Sequence, residues 1–482
     1  MEQKLVGRHL ELTALSEYFN SDKSEFIAVY GRRRVGKTFL IRKAANDNFA
    51  FFMTGVHGVS KSEQLVNFSI ALQKYTKSPA LTIFKNWILA FHALAQYLEK
   101  LPDGKKVIFI DELPWMDTAK SGFIPALENF WNSWAVLRDD IKLVVCGSAT
   151  SWMINNLIRN RGGLHNRLTH HLVVKPFTLG ECEEYFKVYN FGYSRKQIAE
   201  CYMVMGGIPY YLSMMDKSIS LAQNIDHLFF ADNAELKDEF NDLYRALFKK
   251  SNDHIAVVTT LATKGIGMTR QDLIKAAHIT DNGAFSTVLE ELEQCGFIRL
   301  YEPFNTSNKT STDVRQKRNS LFQLVDFYTL FNFRFIKFNK YQDQNFWSSS
   351  QNSPVYRTWA GLSFELLCLN HIDKIKQALG IAGVQTLVCS WRSSKAEKGT
   401  QIDLLIDRKD ETINICEMKF YTGAFEITKE YEEKLQEKVR IFAEETNTQK
   451  SLLLTLITSF GIKQNKHSDI VQKQITMEEL FC

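Results

Sequence analysis

A chain of 482 residues is too long for one ordinary core and implies roughly three domains. Its 45% hydrophobic and 23% charged content is that of a soluble globular protein, and its net charge of +5 permits a nucleic-acid partner without demanding one. No stretch approaches the ~20 apolar residues of a membrane span, the opening "MEQKLVGRHL" lacks the apolar core of a signal peptide, and the eight cysteines and eleven histidines form neither CxxC nor HExxH. A membrane protein, a disulfide scaffold and a zinc site are thereby set aside, and reduced, buried thiols in a cytoplasmic protein are expected.

Residues 1–180 alternate short β-branched runs ("EFIAVY", "KVIFI", "IKLVVCG", "HHLVVKPF") with amphipathic stretches. That alternation predicts a parallel sheet flanked by helices. The first run leads into "GRRRVGKT", Gly31 to Thr38, followed by a helical pattern. Strand, glycine-bounded loop and helix together are the setting of a phosphate-binding loop. Gly31 and Gly36 let backbone N–H groups curl around a phosphate, Lys37 reaches the β- and γ-phosphates, and the Thr38 hydroxyl ligates Mg²⁺. The strand "KVIFIDELPW" ends in Asp111 and Glu112, an acidic pair suited to hold Mg²⁺ (Asp111) and to polarise an attacking water (Glu112). The strand "IKLVVCGSAT" ends in Ser148, which either contacts that water or the γ-phosphate, or simply starts a turn.

Residues 181–250 are helical throughout, a candidate lid. Residues 251–325 show three short helical patterns, then "FIRLYEP", a polar loop and "NSLFQLVD", the order of a winged helix. In its third helix Phe285, Val288, Leu289, Leu292 and Cys295 share one face. Asn282, Ser286 and Thr287 at the start of that helix are placed to reach bases, whereas Glu290, Glu291 and Glu293 would repel phosphates. The loop residues Lys309, Arg315, Lys317 and Arg318 are better placed for DNA, or form a solvated loop. An aromatic segment at 326–350 is too apolar for a free linker and should pack between domains.

The last domain, 351–482, is expected in the order helix, three strands, helix, strand, helix. Within "TQIDLLIDRKDETINICEMKFY" strand alternation puts Ile413, Ile415, Glu417 and Lys419 on one face, and a short turn would bring Asp403 close to Glu417. Glu365 lies amid apolar residues of the preceding helix. Exposed strand carboxylates and lysines are common, but an acid flanked by Ile, Leu, Cys and Phe costs desolvation energy unless it is paired or metal-bound.

"LVGRHLEL", "GRRRVGKT", "FIDELPWMDT", "VVCGSATSWM" and "GGIPYYL" resemble prokaryotic P-loop ATPases of the AAA+/STAND type. The resemblance implies that Arg8 lies near the nucleotide, although His9 stands where an acidic residue is usual. It implies that Pro209, of Gly207-Ile208-Pro209, packs near the base. It places candidate arginine fingers in "RGGLHNRLTHHLVVKPF", Arg167 first and Arg161 second, with position alone leaving open whether Arg167 acts in cis or across a homo-oligomer. It also implies a winged helix followed by a PD-(D/E)xK nuclease-like domain. Glu365, Asp403 and Glu417-x-Lys419 fit that pattern: Asp403 and Glu417 as Mg²⁺ ligands, Glu365 reaching the metal or its waters, Lys419 orienting or deprotonating water.

The expected fold is therefore α/β: a P-loop NTPase parallel sheet with a helical lid, a winged-helix domain and a C-terminal α/β restriction-endonuclease-like domain. The expected function is ATP- and Mg²⁺-dependent control of a nuclease-like domain acting on DNA. The alternative is a nucleotide-dependent signalling or DNA-binding switch whose C-terminal domain is inactive.

Overall fold

The computed structural model describes residues 4–159, 162–164, 166–248, 251–265, 267–304, 320–339, 343–351, 353–393 and 400–482. They divide into two compact units: Met1–Pro176 with Ile208–Tyr211, and Phe177–Gly207 with Leu212–Cys482. No helix among the described residues is long and apolar enough to cross a membrane.

The first unit is built on a five-stranded, all-parallel sheet of β1 (Glu25–Tyr30), β2 (Phe51–Thr54), β3 (Lys106–Asp111), β4 (Ile141–Gly147) and β5 (His170–Val173), in the order β2-β3-β4-β1-β5. β1 and β4 are buried along their whole length, which is why they read as continuous apolar runs. One face, carrying Phe26, Ala28, Ile108, Ile110, Leu143 and Val145, packs on Phe68, Trp87, Phe91, Leu94, Leu127 and Trp131 of the helices Lys61–Thr76, Trp87–Glu99 and Phe123–Ser133. The first of these helices starts at a capping box between Ser60 and Glu63, and the second at Asn86, whose side chain accepts from the Leu89 N–H. The short strand β2 was not expected: "FFMT" has too few residues for periodicity to distinguish it from a loop.

The second unit begins with helices whose starts are written in the sequence. Leu179–Val188, Arg195–Met205 and Leu221–Phe229 open on complete capping boxes, Thr178/Glu181, Ser194/Gln197 and Ser220/Gln223. Next come the helices Asn252–Lys264, Arg270–Ala277 and Gly283–Gln294 and a small antiparallel sheet of β6 (Met268–Thr269), β7 (Ile298–Tyr301) and β8 (Leu321–Leu324), ordered β6-β8-β7. Phe285, Val288, Leu289, Leu292 and Cys295 are buried, as their spacing predicts. Lys309, Arg315, Lys317 and Arg318 lie outside the described residues. The aromatic segment packs tightly: Phe331 and Phe335 meet Trp347 and Trp359 with ring centroids 5.1–5.8 Å apart.

The C-terminal sheet is mixed, formed by β9 (Thr386–Arg392), β10 (Gln401–Arg408), β11 (Thr412–Lys419), β12 (Ser451–Thr458) and β13 (Lys473–Thr476), in the order β13-β12-β11-β10-β9. β9, β10 and β11 are antiparallel neighbours, while β11, β12 and β13 run parallel. The helix Lys429–Thr446 buries Leu435 and Phe442 against Ile413, Ile415, Leu454 and Leu456. The helix expected after β12 is instead β13 between two short 3₁₀ turns, Ser468–Ile470 and Met477–Leu480. Ile475, paired with Ile457 in the parallel ladder, is buried there.

Candidate functional site: a phosphate loop and a carboxylate–lysine cluster

The loop after β1 has the backbone that a phosphate cradle needs. Gly31 has φ +146°, and a Cβ there would sit 2.2 Å from the Val174 carbonyl oxygen, so only glycine fits. Gly36 (φ 86°) precedes the helix Lys37–Ala44, and Arg34 is also left-handed (φ 71°). Lys37 is buried, its Nζ donating to the carbonyls of Gly31 (3.0 Å) and Arg32 (2.9 Å). Thr38 Oγ1 donates to Asp111 Oδ2 at 2.9 Å, and Asp111 Oδ1 accepts from the Glu112 N–H at 3.0 Å. Glu112, left-handed at φ 46°, accepts through Oε2 from both the N–H (3.1 Å) and the hydroxyl (3.0 Å) of Ser148. Parallel pairing of β1 with β4 and of β4 with β3 brings these three strand ends together.

Two further segments dock on the loop tip. Arg8, left-handed (φ 60°) and buried, donates to the Val35 carbonyl at 3.1 Å. Arg34 stacks its guanidinium over Tyr210, 4.5 Å from the ring centroid, beside Pro209 at the start of the short helix Pro209–Leu212. Arg167 is exposed in the turn before β5, with no ion pair among the described residues, and Arg161 lies outside them. The donor set fits ATP with Mg²⁺: a lysine resting on neutral carbonyls, a hydroxyl and a carboxylate in contact, and a loop of backbone N–H groups at a helix N-terminus.

In the C-terminal sheet Leu404 pairs with Cys416 and Leu405 with Ile415; continuing that register one residue sets Asp403 opposite Glu417. The row Ile413, Ile415 runs on into Glu417 and Lys419, so these two face the helix Lys429–Thr446. Glu417 is closely held. Lys419 Nζ lies 2.8 Å from Oε1, Lys438 Nζ donates to Oε2 at 2.6 Å, and the Tyr431 hydroxyl donates to Oε1 at 3.2 Å. Burial pushes the Glu417 carboxyl up, but Lys419 and Lys438 together hold it below the usual carboxylate range. Asp403 accepts from Gln401 Nε2 at 2.6 Å; burial and the facing Glu417 charge raise it. Glu365, from the helix Pro354–Asn370, is pushed up to about 8 by burial and by Asp403, so it is largely protonated at neutral pH. Burial works against the Lys419 charge, but Glu417 keeps that lysine raised and protonated.

Thus Glu365, Asp403, Glu417 and Lys419, from one helix and two neighbouring strands, converge. Carboxylate oxygens are the right donor type for Mg²⁺. Their arrangement does not present them to it: Glu417 engages both oxygens with ammonium groups, and no group of three or more His, Cys, Asp or Glu among the described residues could hold a metal ion. Sequence reasoning missed Lys438 and Tyr431. The signal was their spacing with Leu435 and Phe442, which puts two polar residues on the apolar face of one helix. In the helix Gly283–Gln294, Asn282 is spent as the N-cap on Phe285, and Glu291 Oε2 lies in hydrogen-bond contact with His254 Nε2 at 2.7 Å.

Residues 5–215 match the family described as an ATPase domain predominantly from Archaea. An uncharacterized protein of Methanocaldococcus jannaschii is 24% identical over 378 residues, covering 77% of this chain and 79% of its own. An uncharacterized ATP-binding protein of the same organism is 53% identical over 38 residues, covering 8% of this chain and 64% of its own. Among solved structures, a Walker-type ATPase of Pyrococcus abyssi superposes with a TM-score of 0.47 at 16% identity, covering 68% of this chain and 96% of that one. The Aeropyrum pernix ORC2 protein gives a TM-score of 0.40 at 14% identity over 73% of this chain and 98% of that one. With the glycine loop, its lysine and the acidic strand end gathered inside the matched region, residues 5–215 are an ATP-binding P-loop ATPase domain of that family.

Proposed function

We propose that this protein is an AAA+/STAND-type ATPase in which nucleotide state controls a C-terminal PD-(D/E)xK nuclease-type domain acting on DNA, with a winged helix at 251–325 between them. The observation that carries the C-terminal half is the convergence of Glu365, Asp403, Glu417 and Lys419 from one helix and two strands.

At the P-loop, bound Mg²⁺ would be held by Thr38 and Asp111 and would neutralise phosphate charge. Lys37 gives up two neutral carbonyls and turns to the phosphates. Glu112 leaves Ser148 to orient the attacking water, and Ser148 is then free to contact that water or the γ-phosphate. Arg8 and Pro209 fix the edges of the nucleotide site through the loop tip, and the exposed Arg167 supplies a cation to the phosphates of its own or a neighbouring subunit.

The test is Mg²⁺-dependent cleavage of duplex DNA, assayed with ATP, ADP or no nucleotide, in wild type and Glu417→Ala. Cleavage that disappears in the variant supports the reading; a wild type that cuts no DNA under any of these conditions removes it. The saturated Glu417 carboxylate favours a second reading, a nucleotide-driven switch whose C-terminal domain binds without cutting. Slow ATP turnover with ADP retained on the purified protein would support it.

A further inference from the structure

We infer that the lid helices belong mechanically to the C-terminal domain and that His371 joins them, so that nucleotide at the P-loop is reported to the helix carrying Glu365 through the lid rather than through the winged helix. This route presupposes the reading above, that nucleotide state controls the C-terminal domain, and supplies its path.

The helix Pro354–Asn370 is tied to the lid at both ends. Near its start the Tyr356 hydroxyl donates to Glu200 Oε1 of the lid helix Arg195–Met205 at 3.3 Å. At its end His371, buried, accepts through Nε2 from the Leu179 N–H at 3.0 Å, and its Nδ1 lies 2.8 Å from the Leu367 carbonyl oxygen. A carbonyl only accepts, so the ring proton sits on Nδ1 and Nε2 is left as a neutral acceptor. Leu179 is the first residue of the lid helix Leu179–Val188, where a backbone N–H has no partner inside the helix. The capping box serves the N–H groups of Thr178 and Glu181, and His371 serves that of Leu179.

The C-terminal turn closes on the same lid helices. Arg195 grips Glu183 with Nε (2.8 Å) and Nη2 (3.2 Å), reaches Glu478 with Nη1 (2.7 Å) and lies 4.9 Å over the Phe481 ring. A Cβ at Gly180 would stand 2.8 Å from the Phe481 carbonyl oxygen, so backbone meets backbone there. The chain passes between the two units at 176–177, 207–208 and 211–212. The Phe177 N–H donates to the Gly207 carbonyl at 2.8 Å, which fastens two of these crossings together. Residues 208–211 carry Tyr210, on which the loop-tip Arg34 stacks. A nucleotide that rearranges the loop tip therefore pulls on a segment whose two ends both continue into the second unit. The winged helix also touches the helix Pro354–Asn370, where Arg299 donates to Asn370 Oδ1 (2.7 Å) and to the Leu369 carbonyl (3.3 Å). The His371 contact differs because it is buried and closes a helix end. A displaced lid takes the Glu365 helix with it, or leaves a buried N–H and a buried ring nitrogen unpaired.

The test is hydrogen–deuterium exchange of the full chain with and without a slowly hydrolysed ATP analogue and Mg²⁺, read at peptides from 354–370. In wild type the analogue should slow exchange there about fivefold or more. His371→Met removes the acceptor, and Leu179→Pro removes the donor at a position where a helix accepts proline. Each should abolish the slowing while binding the analogue with nearly wild-type affinity. His371→Gln, whose amide oxygen takes the place of Nε2, should keep the slowing, and so should Arg299→Gln.

Slowing that survives in His371→Met or Leu179→Pro, or that disappears in Arg299→Gln, overturns the route. No slowing in wild type overturns it too, and leaves the nuclease reading to be judged by DNA cleavage alone. A wild type that cuts no DNA yet shows the His371-dependent slowing removes the nuclease reading and keeps the route. Two variants on opposite sides of one hydrogen bond guard against a misfolded protein, and a merely structural contact would speed exchange equally with and without the analogue.

Discussion

The P-loop site and the C-terminal cluster both hold lysines beside carboxylates, yet they keep their charges in opposite ways. At the P-loop each charged group rests on a neutral partner: Lys37 on two carbonyls, Asp111 on a hydroxyl and an N–H, Glu112 on Ser148. At the C-terminal cluster the charges rest on one another, with two ammonium groups on one carboxylate. A hydrogen bond between a charged group and a neutral partner is worth about 1.5–3 kcal/mol net and can be exchanged for a contact with a polyanionic ligand or its metal. A partly buried ion pair exchanges only for another charge. The first site is set to receive a ligand; the second is internally neutralised and must be opened.

The largest expected effect is on turnover. Glu112→Gln should lower the ATP hydrolysis rate by roughly 10²–10³-fold while leaving ATP affinity within a few-fold, measured as phosphate release against binding of a fluorescent ATP analogue. Equal loss of both would mean that Glu112 shapes the site rather than the chemistry. Lys37→Ala should weaken ATP binding about 100-fold or more, because charge-assisted contacts to phosphate are lost. Retained affinity would remove the idea of a lysine held in reserve on neutral carbonyls.

Stability should separate the two sites next. Glu417→Gln leaves two ammonium groups facing a neutral amide and should cost about 1–3 kcal/mol, a value reduced by partial solvent screening. Thr38→Val removes one hydroxyl donor of the Asp111 carboxylate and should cost about 1.5 kcal/mol, the low end for a hydrogen bond to a charged group, because Asp111 keeps the Glu112 N–H. Chemical denaturation of both variants checks this, and a larger cost at Thr38 would erase the contrast.

The smallest expected effect is a pH trend at Glu365. Its folded pKa, about 8, lies above the usual carboxylate range, so folding favours its protonated form. That contribution is fully present below the unfolded pKa and is lost as pH rises through the folded value. With metal removed by EDTA, Glu365→Gln should therefore gain on wild type by a few degrees in Tm between pH 5 and pH 9. A difference that stays flat with pH would show that Glu365 is not held protonated by the cluster.

Much of the phosphate loop was legible because its chemistry is local. Glycine at positions 31 and 36, the lysine and threonine that follow, and an acidic pair ending an apolar run all announce themselves within a few residues. Asp403, Glu417 and Lys419 were legible through strand parity, which needs only alternation and one turn, and Glu365 as an acid amid the apolar residues of a helix. Lys438 and Tyr431 were not, because they reach the site by tertiary packing of a helix whose register on the sheet is set by Leu435 and Phe442. The final strand β13 was misread as a helix because four residues carry too little periodicity, and its pairing to β12 is a long-range choice.

The strand order β2-β3-β4-β1-β5 also has a consequence for synthesis on the ribosome. β1 is made early, yet its two neighbours are residues 141–147 and 170–173. At cellular elongation rates the apolar run Phe26–Tyr30 therefore waits on the order of ten seconds for its first hydrogen-bonded partner. During that interval β1 is a natural ligand for chaperones, and a pause in translation ahead of β4 would lengthen it.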